Sequence, residues 1–443
     1  MAPMDWSRLL DLDRLWNPGY QADPRRPAYD QDADRISFSA PFRRLANKTQ
    51  VHPLYDNDHI HHRLIHSVET ASVGRSLGLD VGWWLEQEGK VEKGGQAAVA
   101  GLVHAACLAH DIGNPPFGHS GEDAIGAWFA EKFDRGEGLF SDHEGCFAAE
   151  FEAFEGNAQG FRILNSLEMN RRGGMRLTHG TLGAFIKYPV TAATRNTLGA
   201  RESGLKKFGV FETERSALEE VASRTGMIAG DQSGTWWRRH PLVFLVEAAD
   251  DICYNILDLE DAFTARDLAY GDVAPLLSEV AGFSPREDRG DTAEEKIALL
   301  RAVAIGRAFE SCSAAFAANH DTIMEGRFRG GLIEASALAG PFAEIGRLAS
   351  ERIFTSPRKT ELEVMGRNLV HRVLDGVLPV FEALEAAEWD ESRLTGYPSQ
   401  LRRALGIDLR TAKDRYGALH TLADYVSGMT DRYAVKVAGI IRA

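Results

Sequence analysis

The sequence predicts a mostly α-helical protein with an N-terminal arm and a helical C-terminal region. Three observations carry that expectation. Apolar residues recur every three to four positions over long segments, those segments stop at proline or glycine, and few runs alternate apolar with polar residues as strands do. Residues 1 to about 57 form the arm: Pro18, Pro24, Pro27 and Pro41 interrupt it, leaving room only for short helices such as one across Trp6 to Trp16. Its aromatic content requires that it dock on the rest. From Asp58 the pattern turns helical, with Leu64, Val68, Ala71, Val73 and Leu77 as a repeating apolar set, and Leu64 and Val68 are expected to face the core with His66 on another face. The apolar run Ala97 to Ala109 ends at Asn114-Pro115-Pro116, where proline stops a helix. Helix resumes over Gly121 to Phe133 and Glu144 to Met169, a loop-rich insertion fills roughly 173–235, and Phe244 to Leu259 is helical again. The expected organisation is therefore an arm over 1–57, a core over 58–265, and a helical region over 266–443 that serves as core and oligomer interface.

Composition narrows the class. The 443 residues are 44% hydrophobic and 26% charged, which is ordinary for a globular chain and excludes disorder and a collagen-like fibre. Lys+Arg 50 against Asp+Glu 64 gives a net charge of −14, so a polyanionic ligand has to be met by a local basic pocket and not by a basic surface. Cys107, Cys146, Cys253 and Cys312 are scattered without any CxxC pair, as reduced thiols in the cytoplasm would be. No stretch reaches the roughly 18 to 20 apolar residues that a membrane span needs, and the start has no basic segment followed by an apolar one, so neither a membrane partner nor secretion is expected.

Nine of the fourteen histidines, His52, His59, His61, His62, His66, His104, His110, His119 and His143, precede residue 150. Histidines that cluster with carboxylates in helical segments suggest a metal site. In Arg63-Leu64-Ile65-His66-Ser67-Val68-Glu69 a histidine sits within a helical pattern. His110 and Asp111 end an apolar helix, where an ionised carboxylate is costly unless paired or bound to a metal. After the turn Gly113-Asn114-Pro115-Pro116-Phe117-Gly118, His119 and Glu122 follow three apart, neighbours on one helix face and suited to proton transfer. Asp250, Tyr254 and Asp258 recur every four residues as a polar stripe in an apolar helix, the pattern of a pocket wall. Together His66, His110, Asp111 and Asp250 supply two imidazoles and two carboxylates. That set suits manganese, magnesium or another first-row divalent metal and is too rich in nitrogen for calcium. His59, His61 and His62, near Asp56 and Asp58, read as a rim cluster and not as a second metal site.

The blocks Arg43 to Val51, Arg63 to Glu69, His110 to Glu122, Phe154 to Arg162 and Glu247 to Tyr254, with Ser427-Gly428-Met429-Thr430-Asp431, resemble the deoxyguanosinetriphosphate triphosphohydrolases of the HD superfamily. The resemblance implies an HD-domain helical fold and metal ligation by His66, His110, Asp111 and Asp250. It implies catalytic assistance from His119 and Glu122. Gln50, Arg63 and Asn157 would face the substrate, Lys187 and Lys207 would meet its phosphates, with Lys206 an alternative to Lys207, and Tyr254 and Asp258 would hold the deoxyribose, Tyr254 excluding a 2′-hydroxyl. The implied reaction is hydrolysis of deoxynucleoside triphosphates to deoxynucleoside and tripolyphosphate by attack on the α-phosphorus, in a homo-oligomer, tetramer or hexamer. Two alternatives stay open: another HD phosphohydrolase acting as nucleotidase or phosphodiesterase, and a non-catalytic protein that binds deoxynucleotides or single-stranded DNA.

Overall fold

The computed structural model describes residues 2–50, 62–141, 145–200, 202–285, 290–353, 355 and 357–442. His52, Asp56, Asp58, His59, His61 and His143 lie outside the described residues. Among the described residues there are nineteen α-helices and no sheet, only isolated bridges.

At the centre the Arg63–Gln87 and Gly95–Ala109 helices pack side by side, and the reason is a stripe of small residues. Gly74, Gly78 and Gly82 lie four apart on one face, where an added Cβ would come 2.5 Å from Cys107 Sγ, 2.6 Å from Ala100 Cα and 2.8 Å from Gln96 Cα. The same stripe continues upward through Thr70 to His66, both buried. The expected facing of this helix is thereby corrected: Val68 is 47% exposed, while His66 is 2% exposed and on the packed side. Close backbone approach at the glycines, and not the largest apolar side chains, selects the buried face.

The Val243–Thr264 helix lies against both members of this pair and brings Asp250 to His66. The 32-residue Ala293–Met324 helix backs it, started by a capping box in which Thr292 and Glu295 satisfy each other's backbone N–H groups. The N-terminal segment is more ordered than its prolines suggest. Besides Trp6–Leu9 it holds a ten-residue helix, Ala28–Ser37, entered directly from Pro27, whose restricted φ suits a helix start. Arg14 pairs with Asp32 at 2.6 Å, both side chains fully buried, and Asp32 also accepts from the Thr178 N–H and from both Thr178 and Thr181 hydroxyls. Trp6 Nε1 donates to His320 Nε2 at 3.0 Å, and His240 Nε2 donates to the Leu9 carbonyl at 3.1 Å.

A second apolar cluster joins distant parts of the chain. The His119–Arg135 helix, with Trp128, Phe129 and Phe133, packs on the Pro357–Ala386 helix, with Val370, Val373, Leu374 and Val377, and the Arg415–Ser427 and Asp431–Arg442 helices close over it. The segment expected as a loop-rich insertion carries the His179–Phe185, Ala192–Leu198 and Arg215–Thr225 helices and sends Lys187 and Lys207 inward. Cys107, Cys253 and Cys312 are free and buried. Among the described residues no helix is long and apolar enough to cross a membrane.

Candidate active site

His66 comes from one turn inside the Arg63–Gln87 helix, His110 from the end of the Gly95–Ala109 helix, and Asp250 from the middle of the Val243–Thr264 helix. His66 Nε2 lies 3.0 Å and His110 Nε2 3.5 Å from the same oxygen, Oδ1 of Asp250. The three ligand-type atoms all fall within 4.8 Å of one another. His110 Nδ1 donates to the Cys107 carbonyl at 2.6 Å, which turns Nε2 toward the cluster, and that buried nitrogen makes no hydrogen bond to any described residue. A histidine oriented by its other nitrogen is the usual state of a metal-ligating imidazole. Burial opposes charge on His110, but Asp111 and Asp250 outweigh it and push its pKa up to about 9. Burial likewise opposes charge on Asp250, and His110 with His66 holds it well below the ordinary carboxylate range. This donor set fits a divalent metal.

Asp111 stands beside the trio and outside it. Its Oδ1 is 3.7 Å from His110 Nε2, yet Oδ2 accepts from Arg63 at 2.6 Å and Oδ1 accepts from the Asn114 amide. Against the cost of burial, the Arg63 guanidinium keeps this carboxyl below its ordinary range.

The turn that follows requires its glycines. A Cβ on Gly113 would stand 2.1 Å from the Gly156 carbonyl and 2.1 Å from the Gly160 nitrogen, both backbone, so the turn and the Gly156–Arg162 helix touch main chain to main chain. Phe117 has φ +65°, a left-handed conformation costing a non-glycine residue about 1–3 kcal/mol. Past the turn, His119 Nδ1 meets Glu122 Oε2 at 3.0 Å, and the other Glu122 oxygen accepts the Gly156 N–H at 2.9 Å. Glu122 is buried and fixed, while the His119 side chain is 82% exposed at the cavity. The hydrogen bond to Glu122 raises the His119 pKa.

All of this opens into one cavity of about 430 Å³. Gln50, Arg63, His110, Asp111, His119, Glu122, Asn157, Lys187, Lys207, Asp250 and Tyr254 line it. His66 is behind the wall, and Asp258, two turns along the helix from Asp250, is 4% exposed and away from the cavity surface. Lys206 does not reach it. Gln50 presents a buried Oε1 with no hydrogen-bond partner among the described residues. The two lysines are tethered by carboxylates: Lys187 lies 3.4 Å from Glu247, and Lys207 lies 3.0 Å from Glu155 and 3.9 Å from Glu122. Burial and the Glu122 charge lift Glu155 to about 7.

Several lining residues escaped the sequence reading. Glu247 and Asp251 belong with Asp250 and Tyr254 to one helix face at positions i, i+3, i+4 and i+7, a pattern the chain displays plainly. Burial and the adjacent Asp250 raise Asp251 to about 7. Leu362 and Glu363 arrive from the Pro357–Ala386 helix without any local signal. Thr49 lines the cavity too, bonded to Asp431 through its backbone N–H at 3.1 Å and its hydroxyl.

Comparison with known proteins identifies two family regions along the chain. Residues 63–175, which contain His66, His110, Asp111, His119, Glu122 and Asn157, match the HD domain, and residues 341–439 match the phosphohydrolase-associated domain. The chain is 40% identical over 456 residues to a deoxyguanosinetriphosphate triphosphohydrolase-like protein of Pseudomonas aeruginosa, covering 98% of each chain. It is 37% identical to a protein of the same description from Synechocystis sp., over 97% of each, and 30% identical to a deoxyguanosinetriphosphate triphosphohydrolase of Yersinia pseudotuberculosis, over 98% of each. With a helical fold, an imidazole–carboxylate cluster and full-length relatives in agreement, the chain belongs to the deoxyguanosinetriphosphate triphosphohydrolase family of HD-domain phosphohydrolases.

Proposed function

We propose that this protein hydrolyses deoxynucleoside triphosphates to deoxynucleoside and inorganic tripolyphosphate. The observation that carries this reading is that the His66–His110–Asp250 cluster, the His119–Glu122 pair and three cations, Arg63, Lys187 and Lys207, meet at one cavity. His66, His110, Asp111 and Asp250 would hold a divalent metal, manganese, magnesium or another first-row ion. When bound, such an ion supplies Lewis acidity to a phosphoryl oxygen.

The protein's own groups account for the remaining work. Water adds at the α-phosphorus, the bond from that phosphorus to the 5′ oxygen breaks, and the oxygen leaves as a hydroxyl. Glu122, fixed by the Gly156 N–H, orients His119 through Nδ1, so Nε2 is the atom that exchanges the proton. Lys187 and Lys207 neutralise the polyphosphate, which competes with Glu247 and Glu155 for them. Tyr254, at the cavity wall, would border the sugar and exclude a 2′-hydroxyl.

The test is incubation with manganese or magnesium and each of the four deoxynucleoside triphosphates, separately and mixed, with products resolved by chromatography. Deoxynucleoside with tripolyphosphate is the expected pair. Orthophosphate or a nucleoside monophosphate in its place, or no product from any substrate, overturns the reading.

A further inference from the structure

Asp431 begins the last helix of the chain, 2% exposed, and uses both carboxylate oxygens on the walls of the cavity. Oδ2 accepts the Thr49 N–H at 3.1 Å and the Thr49 hydroxyl, while Oδ1 accepts the Phe117 N–H at 3.0 Å. Thr49 precedes Gln50, a residue of the cavity wall whose buried Oε1 has no hydrogen-bond partner among the described residues; Phe117 holds the left-handed turn that delivers His119. A second tie runs parallel to the first. Lys48 Nζ, buried, donates to the Asn114 carbonyl at 2.6 Å and the Ser427 carbonyl at 2.8 Å, joining the same two walls to the same C-terminal segment. A carboxylate is acceptor-only and can serve donors on both sides, whereas a carboxamide turns a donor toward one of them.

We propose that Asp431 is a positioning residue for the reaction, setting the separation of the Thr49–Gln50 wall from the Phe117–His119 turn. Its kinetic consequence rests on the triphosphohydrolase reading; the clasp itself does not. Hydrogen–deuterium exchange on the full-length protein, together with kcat and KM measured separately, tests it in Asp431→Asn, Thr49→Val and Thr49→Ser. Asp431→Asn is expected to speed exchange in segments 46–50 and 112–119 together and to lower kcat by ~10- to 10²-fold, with a smaller change in KM. Thr49→Val should move in the same direction less far, and Thr49→Ser, which keeps the hydroxyl, should restore the unsubstituted values. A folded Asp431→Asn protein with exchange in both segments and kcat within about twofold of the parent overturns the proposal. If Asp431→Asn does not fold, the Val and Ser variants decide: equal exchange and equal kcat in the two overturn it. Should the unsubstituted protein turn over no deoxynucleotide, the functional reading fails, and the exchange data alone judge the clasp.

Discussion

Nε2 of His66 lies 3.0 Å from Oδ1 of Asp250, although 184 positions separate the two residues in the chain. His110 approaches the same oxygen, so Asp250 is the hinge of the cluster: without it two imidazoles face each other at 5.2 Å between ring centres with no anion between them. Asp250→Ala is expected to abolish both metal retention and turnover, read as metal content after dialysis and as product formation. Full turnover by a metal-free Asp250→Ala protein would sink the assignment of this cluster.

His119 is exposed and Glu122 is buried, which separates their failures. His119→Ala removes a proton carrier that no packing depends on, so turnover should fall roughly 10²–10⁴-fold while metal content and unfolding temperature stay at the parent's values. Unchanged turnover would take His119 out of the mechanism.

His240 predicts a pH dependence of stability. Burial pushes its pKa down to about 4, and both ring nitrogens are committed, Nε2 donating to the Leu9 carbonyl and Nδ1 accepting the Leu242 N–H. A second proton would have to displace the Leu242 bond. Because the unfolded chain takes up that proton near 6.5 and the folded one only near 4, the unfolded state binds more protons in between, and stability falls as pH drops through this window. The loss is on the order of 3 kcal/mol and levels off below pH 4. In denaturant titrations from pH 7 to pH 4, His240→Gln should show a shallower decline than the parent; identical slopes would contradict the argument.

Gly113 and Gly306 make a contrasting pair. Gly113→Ala drives a methyl into the backbone of Gly156 and Gly160, so it should cost about 1–3 kcal/mol and shift the turn carrying His119. Gly306 is within the Ala293–Met324 helix, where an added methyl would meet nothing within 4 Å, and Gly306→Ala should stabilise by roughly 0.4–1 kcal/mol. Chemical denaturation of both variants checks the pair, and a neutral Gly113→Ala would show that the turn yields freely.

Local chemistry was legible along the chain. The pairs His110–Asp111 and His119–Glu122 are close in sequence, and proline and glycine between them mark the turn, so their proximity follows from the covalent path and from helix geometry. The four-residue spacing of Asp250, Tyr254 and Asp258 placed a polar stripe correctly on a helix, but spacing alone assigns no depth. Asp250 and Tyr254 border the cavity while Asp258, on the same stripe, is buried beyond it.

The chain's own pattern was enough for a mostly helical protein and for the proline- and glycine-marked turn between His110 and His119. The buried face of the Arg63–Gln87 helix, the ordered Ala28–Ser37 helix, the arrival of Leu362 and Glu363 at the cavity, and the bonds of Asp431 to Thr49 and Phe117 in its walls emerge only in the folded molecule. The difference is physical. Periodicity reports which side chains avoid water, whereas the face a helix buries depends on how closely another backbone can approach it, here at Gly74, Gly78 and Gly82. Contacts between residues hundreds of positions apart, such as Phe117 with Asp431, leave no mark in the local sequence, because they are selected by the packing of whole helices.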